Sequence, residues 1–124
     1  MEKDWKKILN EQEYYVTREK GTERPFTGKY NDFFEDGHYY CKCCGAKLFS
    51  SNHKFQSHCG WPSFSDQLHN DNLKFQQDLS HNMARTEVLC AHCDAHLGHV
   101  FEDGPTETKQ RYCINSVSLD FKKD

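Results

Sequence analysis

Two Cys-x-x-Cys pairs constrain the folding of this 124-residue chain more than any other feature. Cys41 and Cys44 form the first pair, and Cys90 and Cys93 form the second. Each pair follows a strand-like run and enters a polar turn, and Gly45 permits a tight turn after the first pair. Four thiolates are the ligand set of a closed structural zinc site, so we predict bound zinc with no open coordination position. Two disulfides or four free thiols are the alternatives.

The total of seven cysteines is odd, so at least one thiol stays outside any purely disulfide scheme. With four cysteines assigned to metal, Cys43, Cys59 and Cys113 remain, and Cys43 is predicted to face away from the metal. The mean hydropathy of -0.97 indicates a lean hydrophobic core. Bound zinc would support such a core, since metal binding contributes about 10 to 16 kcal/mol to folding in isolated zinc-finger peptides.

Charge and hydropathy exclude several classes of function. The net charge is -3, with both signs interspersed along the chain, which argues against a nucleic-acid-binding surface. No apolar run is long enough to span a membrane, and the N-terminus lacks the apolar region of a signal peptide. We therefore expect a cytoplasmic protein that acts as a monomer and binds neither membrane nor nucleic acid.

Capping signals predict two short helices within residues 1–20. Asp4 can cap the first helix, which carries Trp5, Ile8 and Leu9 on one face. Asn10 and Glu13 form a capping box for the second helix, which we expect to end at Gly21. Both helices are predicted to be peripheral, and the side chains that we expect them to place on a sheet are Trp5, Ile8 and Tyr15.

Beyond Gly28 the chain changes to short apolar runs separated by Gly, Asn, Asp and Pro clusters, which is typical of strands and turns. The predicted strands are His38–Cys41, Leu48–Phe49, Leu73–Phe75, Arg85–Cys90, Leu97–Phe101, Arg111–Asn115 and Val117–Phe121. These runs predict a mainly β chain.

One predicted strand carries a row of reactive groups. Side chains alternate faces in a strand, so Arg111, Cys113 and Asn115 should point the same way. A guanidinium beside a thiol favours the thiolate, which is the attacking form of cysteine. The alternative is that Cys113 is a small hydrophobe in a core strand.

Two further segments carry candidate functional residues. Cys59 and Trp61 lie in a turn-rich loop, and His96 and His99 flank a glycine in another predicted strand. Histidines can transfer protons near pH 7. Core packing for Trp61 and structural roles for the two histidines are the alternatives.

Together these segments resemble the B-type methionine sulfoxide reductases, enzymes specific for the R epimer of methionine sulfoxide. The likeness runs from about Glu13 to Phe121. It rests on Gly21–Phe26, the Cys41/Cys44 pair, Lys54-Phe55, Gly60–Phe64, Arg85–Val88 before the Cys90/Cys93 pair, His96–Phe101, Asp103–Pro105 and Arg111–Ser116.

The resemblance implies a mainly β fold of two antiparallel sheets, with short N-terminal helices and a four-cysteine structural metal site. It also implies one reductase domain over residues 1–124. Within that domain, residues 1–20 form the peripheral helices, residues 41–93 carry the zinc pairs and an insertion, and residues 96–121 form the catalytic strands.

The resemblance also implies roles for the site residues. Cys113 is the expected nucleophile, and it becomes a sulfenic acid when it releases methionine from an oxidised protein or peptide. Cys59 then forms a disulfide with Cys113, and thioredoxin reduces that disulfide. Trp61 receives the substrate methyl group, and Arg111 supports the thiolate. The residues expected to hold the substrate and help to protonate its oxygen are His96, His99 and Asn115, with Phe101 and Asp103 as further substrate-binding residues.

The sequence departs from the pattern of this family at three positions: His58, Asn82 and Lys109. His58 bears on the mobility of the Cys59 loop, and Lys109 bears on which peptides enter the site. The competing hypothesis is a non-catalytic zinc-ribbon binding module, which would leave Cys59, Trp61 and the Arg-Cys-Asn row unexplained. A zinc-dependent hydrolase would need an open metal site.

Overall fold

Buried side chains alternate along several strands of this protein. The computed structural model describes residues 4–57, 59–68, 72–79 and 83–123. His58 and Asn82 lie outside the described residues. The described helices are α1 (Trp5–Ile8) and α2 (Glu11–Arg18). The strands are β1 (Gly37–Cys41), β2 (Lys47–Ser50), β3 (Lys54–Phe55), β4 (Ser63–Phe64), β5 (Leu73–Asp78), β6 (Arg85–Cys90), β7 (His96–Phe101), β8 (Arg111–Ile114) and β9 (Leu119–Lys123).

The strands form two antiparallel sheets, as predicted. The smaller sheet has the order β2-β1-β9, and the larger has the order β3-β4-β8-β7-β6-β5. The short strands β3 and β4 were not predicted. The strand predicted over Val117–Phe121 begins later, at Leu119, because Ser116–Ser118 forms a 3-10 turn. Contacts with distant residues hold this turn, since the Val117 N–H donates to the Glu23 carboxylate at 3.0 Å.

The capping box that opens α2 is confirmed. The Glu13 N–H donates to Asn10 Oδ1 at 2.8 Å, and the Asn10 N–H donates to Glu13 Oε1 at 2.9 Å. The predicted cap at Asp4 is wrong, because its side chain makes no capping hydrogen bond to α1. The second helix ends at Arg18, before Gly21, and Lys20 adopts the left-handed conformation there with φ of +59°.

The predicted inward faces of the two helices are partly wrong. Trp5 packs against the core, but Ile8 is 59% exposed and Tyr15 is 52% exposed. Leu9 is buried instead of Ile8, because the chain is already extended at Leu9 and carries its side chain inward. Tyr15 lies over Gly21, where an added Cβ would collide with its ring.

Aromatic side chains from both sheets form the core between them. Phe49 of the smaller sheet stacks on Phe64 of the larger sheet, with ring centroids 4.4 Å apart, and Tyr39 meets Phe64 edge-on at 5.0 Å. Such pairs contribute about 0.5 to 1.5 kcal/mol each beyond the burial of their area. Tyr112 and Ile114 of β8 belong to the same core, so the side chain between them faces the other way. Among the described residues, no helix is long and apolar enough to cross a membrane.

Candidate functional site

Strand β8 presents the predicted row of reactive groups. Tyr112 and Ile114 are fully buried in the core, while Arg111 and Cys113 are partly exposed on the opposite face. Asn115 follows the strand and lines the same cavity as Arg111 and Cys113. The alternation inferred from the sequence is therefore confirmed.

The row opens into a cavity of about 260 Å³. It contains most of the predicted site residues, namely Cys59, Trp61, His99, Phe101, Arg111, Cys113 and Asn115. Pairing of β8 with its neighbours explains how these residues meet. Cys113 lies opposite Ser63 on β4 and opposite His99 on β7. The loop that carries Cys59 and Trp61 leads into β4, so it borders Cys113 on one side and His99 borders it on the other.

Cys59 and Cys113 form a close pair. Their Sγ atoms are 3.3 Å apart, although the cysteines are 54 positions apart in the chain. The Ser57 hydroxyl donates to Cys59 Sγ at 3.0 Å. A disulfide needs an S–S distance of about 2.05 Å, so the two sulfurs need to approach by little more than about 1 Å.

The hydrogen bond between the two thiols shifts their pKa values in opposite directions. The hydrogen bond from Cys113, helped by Ser57 and Ser63, lowers the pKa of Cys59 to about 4 against the opposing effect of burial. The same hydrogen bond and burial raise the pKa of Cys113. Arg111 lowers the pKa of Cys113, as the sequence indicated, but its effect is weaker than these two. The effect predicted for Arg111 on Cys113 is therefore present, and the hydrogen bond between the two thiols is the larger influence on both pKa values.

Arg111 is held on both sides. Phe101 lies opposite it on β7, and the Arg111 guanidinium carbon sits 4.5 Å from the centroid of the Phe101 ring. Asp103 accepts from Arg111 Nε at 2.8 Å and from Nη2 at 3.1 Å. The structure places Asp103 outside the cavity lining, where it orients Arg111 instead of facing the cavity.

The two predicted histidines have different surroundings. His99 lines the cavity, and its Nε2 lies 2.8 Å from Asp78 Oδ2. His96 is 3% exposed and does not line this cavity; its Nδ1 lies 2.7 Å from Glu87 Oε2. Burial lowers the pKa of His96 more than Glu87 raises it. His96 lies next to His99, with 5.6 Å between the two ring centroids.

The Asn115 amide has a fixed orientation. Its Oδ1 accepts from the backbone N–H of Glu23 at 3.0 Å, and its Nδ2 donates to the Leu97 carbonyl at 3.0 Å. An amide nitrogen carries two hydrogens, so one N–H remains for a ligand. Asn115 can therefore act toward the cavity as a hydrogen-bond donor.

The four predicted metal ligands come together at two similar turns. Cys41 ends β1, Cys90 ends β6, and their partners Cys44 and Cys93 follow in the turns. Left-handed residues come after each pair, with φ of +81° at Gly45 and +65° at Asp94. The four sulfurs lie within 4.8 Å of one another, including 3.6 Å for Cys41–Cys93 and 3.5 Å for Cys44–Cys90.

This geometry fits a metal ion. Zinc–sulfur bonds of about 2.3 Å in a tetrahedron place the sulfurs about 3.8 Å apart, close to the observed spacing. Arg18 of α2 donates to Cys93 Sγ at 3.3 Å, which offsets the negative charge of a four-thiolate site. The expectation that Cys43 faces away is corrected, since its thiol is buried and interacts with Cys41 and Cys93. None of these four cysteines lines the cavity beside Cys113.

Sequence reasoning missed several residues of the site. Thr22, Arg85 and Gly98 also line the cavity. Asp78 and Glu87 hold the two histidines from the neighbouring strands β5 and β6. The glycine between the histidines was a usable signal, because a Cβ at Gly98 would collide with the Cys113 carbonyl on β8. Asp78 carried no local signal.

Comparisons with known proteins show the family of this chain. A family model described as SelR domain matches residues 9–123. The peptide methionine sulfoxide reductase MsrB of Alteromonas mediterranea is 60% identical, covering 98% of this chain and 85% of that protein. The protein of the same name from Pseudomonas putida is 58% identical, covering 96% and 90%, and that from Hahella chejuensis is 55% identical, covering 97% and 86%.

Among solved structures, the crystal structure of the Mis18 "Yippee-like" domain aligns with a TM-score of 0.57 at 18% identity. The match covers 72% of this chain and 97% of that chain. At this level of identity, the likeness shows a shared fold alone.

Proposed function

We propose, from the premise that this chain belongs to the SelR domain family and is a peptide-methionine (R)-S-oxide reductase, that Cys113 is its nucleophile and Cys59 its resolving thiol. The observation that carries this proposal is the 3.3 Å separation of the two sulfurs inside the cavity. Both thiols reach one small space, with an indole on one side and hydrogen-bond donors on the other.

The first step reduces the substrate. The Cys113 proton moves to the Cys59 thiolate, and the resulting Cys113 thiolate attacks the sulfoxide sulfur. The sulfoxide oxygen takes up a proton and passes to Cys113, so that methionine leaves and Cys113 becomes a sulfenic acid. The substrate sulfur is reduced and the cysteine sulfur is oxidised, so the electrons balance.

The second step resolves the sulfenic acid. Cys59 attacks the Cys113 sulfur, an S–S bond forms, and water leaves with the sulfenic oxygen. A dithiol reductant then reduces the Cys59–Cys113 disulfide by thiol–disulfide exchange, and we assign that task to thioredoxin. Cys59 is half-buried at the cavity, which supports its access to both partners.

The remaining cavity residues hold the substrate in this proposal. Trp61 is the apolar wall for the methyl group, since sulfur and methyl groups pack well on aromatic rings. His99 and the unpaired Asn115 N–H act on the sulfoxide oxygen, where negative charge develops. His96 lies outside the cavity lining, and the proposal gives it the role of supporting His99, whose ring centroid lies 5.6 Å from that of His96.

The proposal assigns zinc to the four-cysteine site, because four thiolates at tetrahedral spacing are its usual protein ligands. A closed zinc site supplies structure and no chemistry, and here it would tie the turn after β1 to the turn after β6. We further propose that the enzyme is a cytoplasmic monomer that acts on oxidised methionine in proteins.

The test is consumption of each sulfoxide epimer with a dithiol reductant. The wild type should consume only the R epimer, and Cys113→Ser should consume neither. Cys43→Ser is the matched control and should retain activity. Failure of the wild type on the R epimer, with metal still bound, would favour the second candidate function, a non-catalytic zinc-ribbon binding module.

A further inference from the structure

The segment Gly21–Phe26 runs beside the cavity and contributes only Thr22 to its lining. Its central residue, Glu23, is 3% exposed. A glutamate so deeply buried needs partners that compensate the loss of water. Its carboxyl accepts from the Val117 N–H, and its backbone connects it to the apolar wall at Trp61 and the polar wall at Asn115.

The backbone of Glu23 bonds to two site residues at once. Its N–H donates to Asn115 Oδ1 at 3.0 Å, and its carbonyl accepts from Trp61 Nε1 at 3.0 Å. One residue therefore fixes the apolar wall and the polar wall relative to each other. Because the N–H donates to Asn115 Oδ1, it also fixes the orientation of the amide, whose Nδ2 has one N–H left for a ligand.

The side chain of Glu23 anchors this arrangement. Oε1 accepts from the Val117 N–H at 3.0 Å, and burial raises the pKa of the Glu23 carboxyl against the lowering effect of that bond and of Ser116. The carboxyl packs against the bare Cα of Gly28, where an added Cβ would collide with Oε2 and with the Ser116 side chain. The carboxyl therefore occupies a closely fitted site between Gly28 and Val117, and Val117 is two residues beyond Asn115 in the chain.

A second hydrogen bond ties the same segment to the loop of Cys59. The Phe26 N–H donates to the Gly60 carbonyl at 2.7 Å, and Phe26 adopts φ of +66°, a left-handed conformation that is costly for an aromatic residue. The surrounding contacts therefore hold the backbone of this segment in one conformation. Displacement of Glu23 would be transmitted to Trp61 and Asn115 together.

We propose that Glu23 is a positioning residue for sulfoxide reduction: its buried carboxyl locks the segment so that its backbone aligns the Trp61 indole and the Asn115 amide. This inference rests on the proposed function. It predicts loss of transition-state alignment without loss of the metal or of the fold.

The experiment compares Glu23→Ala and Glu23→Gln with Glu19→Ala, a control that removes an exposed glutamate from the end of α2. The readouts are single-turnover rate and KM for the R sulfoxide, metal content and thermal midpoint. Trp61 emission is measured in a Trp5→Phe background, which leaves Trp61 as the sole tryptophan. Glu23→Gln keeps an oxygen that can accept from Val117.

We expect Glu23→Ala to lower the single-turnover rate by about 10- to 100-fold, the range typical of misplaced reacting groups, with bound metal and a shifted Trp61 emission. Glu23→Gln should recover most of that rate, and Glu19→Ala should match the wild type. If Glu23→Ala does not fold, Glu23→Asp decides, since its shorter side chain keeps a carboxyl group and draws the segment out of position.

Folded Glu23→Ala, or folded Glu23→Asp in its place, with wild-type rate and emission would overturn the proposal. A rate that falls only in proportion to lost metal or folded protein would also overturn it. An inactive wild type would instead refute the proposed function, so the two failures are distinguishable.

Discussion

Replacing Cys59 with serine should retain one turnover and change how that turnover depends on pH. In the native pair the hydrogen bond from Cys113 lowers the pKa of Cys59 to about 4. The pair therefore already carries one negative charge throughout the range of about pH 6 to 8, and the wild-type single-turnover rate should be nearly flat there.

Serine does not ionise in this range, so the variant has no neighbouring anion to accept the Cys113 proton. Burial still raises the pKa of Cys113 above its ordinary value, with Arg111 opposing it more weakly. Below its pKa the thiolate fraction of a thiol rises about tenfold per pH unit. We therefore expect the single-turnover rate of Cys59→Ser to rise by up to about tenfold per pH unit.

The assay is rapid-quench formation of methionine from the R sulfoxide without reductant, followed by thiol titration. Cys59→Ser should release one methionine per enzyme, form no intramolecular disulfide and lose recycling by thioredoxin. A flat pH profile in the variant would show that Cys113 ionises without Cys59. Undiminished thioredoxin recycling would show that Cys59 is not the resolving thiol and would point to direct reduction of the sulfenic acid.

Three further changes test the metal site and the cavity. Cys90→Ser should lose both the metal and the folded structure. Metal binding contributes about 10 to 16 kcal/mol in isolated zinc fingers, which matches or exceeds the stability of most domains. Metal analysis and circular dichroism check this. Its control, Cys43→Ser, should keep the metal, and a stable, metal-free Cys90→Ser protein would refute the site. Trp61→Ala should raise KM more than it lowers kcat, because it removes an apolar contact present before the reaction, and a change in kcat alone would contradict that role. Asp78→Asn should lower kcat by about 10- to 100-fold, since an amide can bind His99 in the wrong tautomer; steady-state kinetics with an unchanged thermal midpoint would establish it, and wild-type kcat would exclude it.

Features set by neighbours along the chain were predictable. The capping box at Asn10 and Glu13 is a local exchange of hydrogen bonds, and the structure has it. The alternation along β8 follows from strand geometry alone, so its outward-facing row was predicted with its inward-facing core side chains. The helix faces were less predictable, because a four-residue helix does not set which side chain reaches the core; packing buried Leu9 and exposed Ile8.

The sequence predicted only one of the two influences on the chemistry of the thiol pair. Arg111 beside Cys113 correctly indicated a cation that favours the thiolate. The stronger influence comes from Cys59, whose closeness depends on how β4 pairs with β8, and no local pattern encodes that distance. The role of Asp78 could not be predicted for the same reason. Asp78 lies on β5 and contacts His99 on β7, and β6 lies between these two strands.

Residue type and periodicity act over a few neighbouring positions, so the sequence predicted the four-cysteine cluster, the reactive row on β8 and the mainly β character of the chain. The closeness of Cys59 to Cys113, the position of His99 in the cavity lining and the contacts of Glu23 with Trp61 and Asn115 arise only in the folded chain. These properties depend on burial and on hydrogen bonds between residues distant in sequence, and both exist only once the sheets have paired.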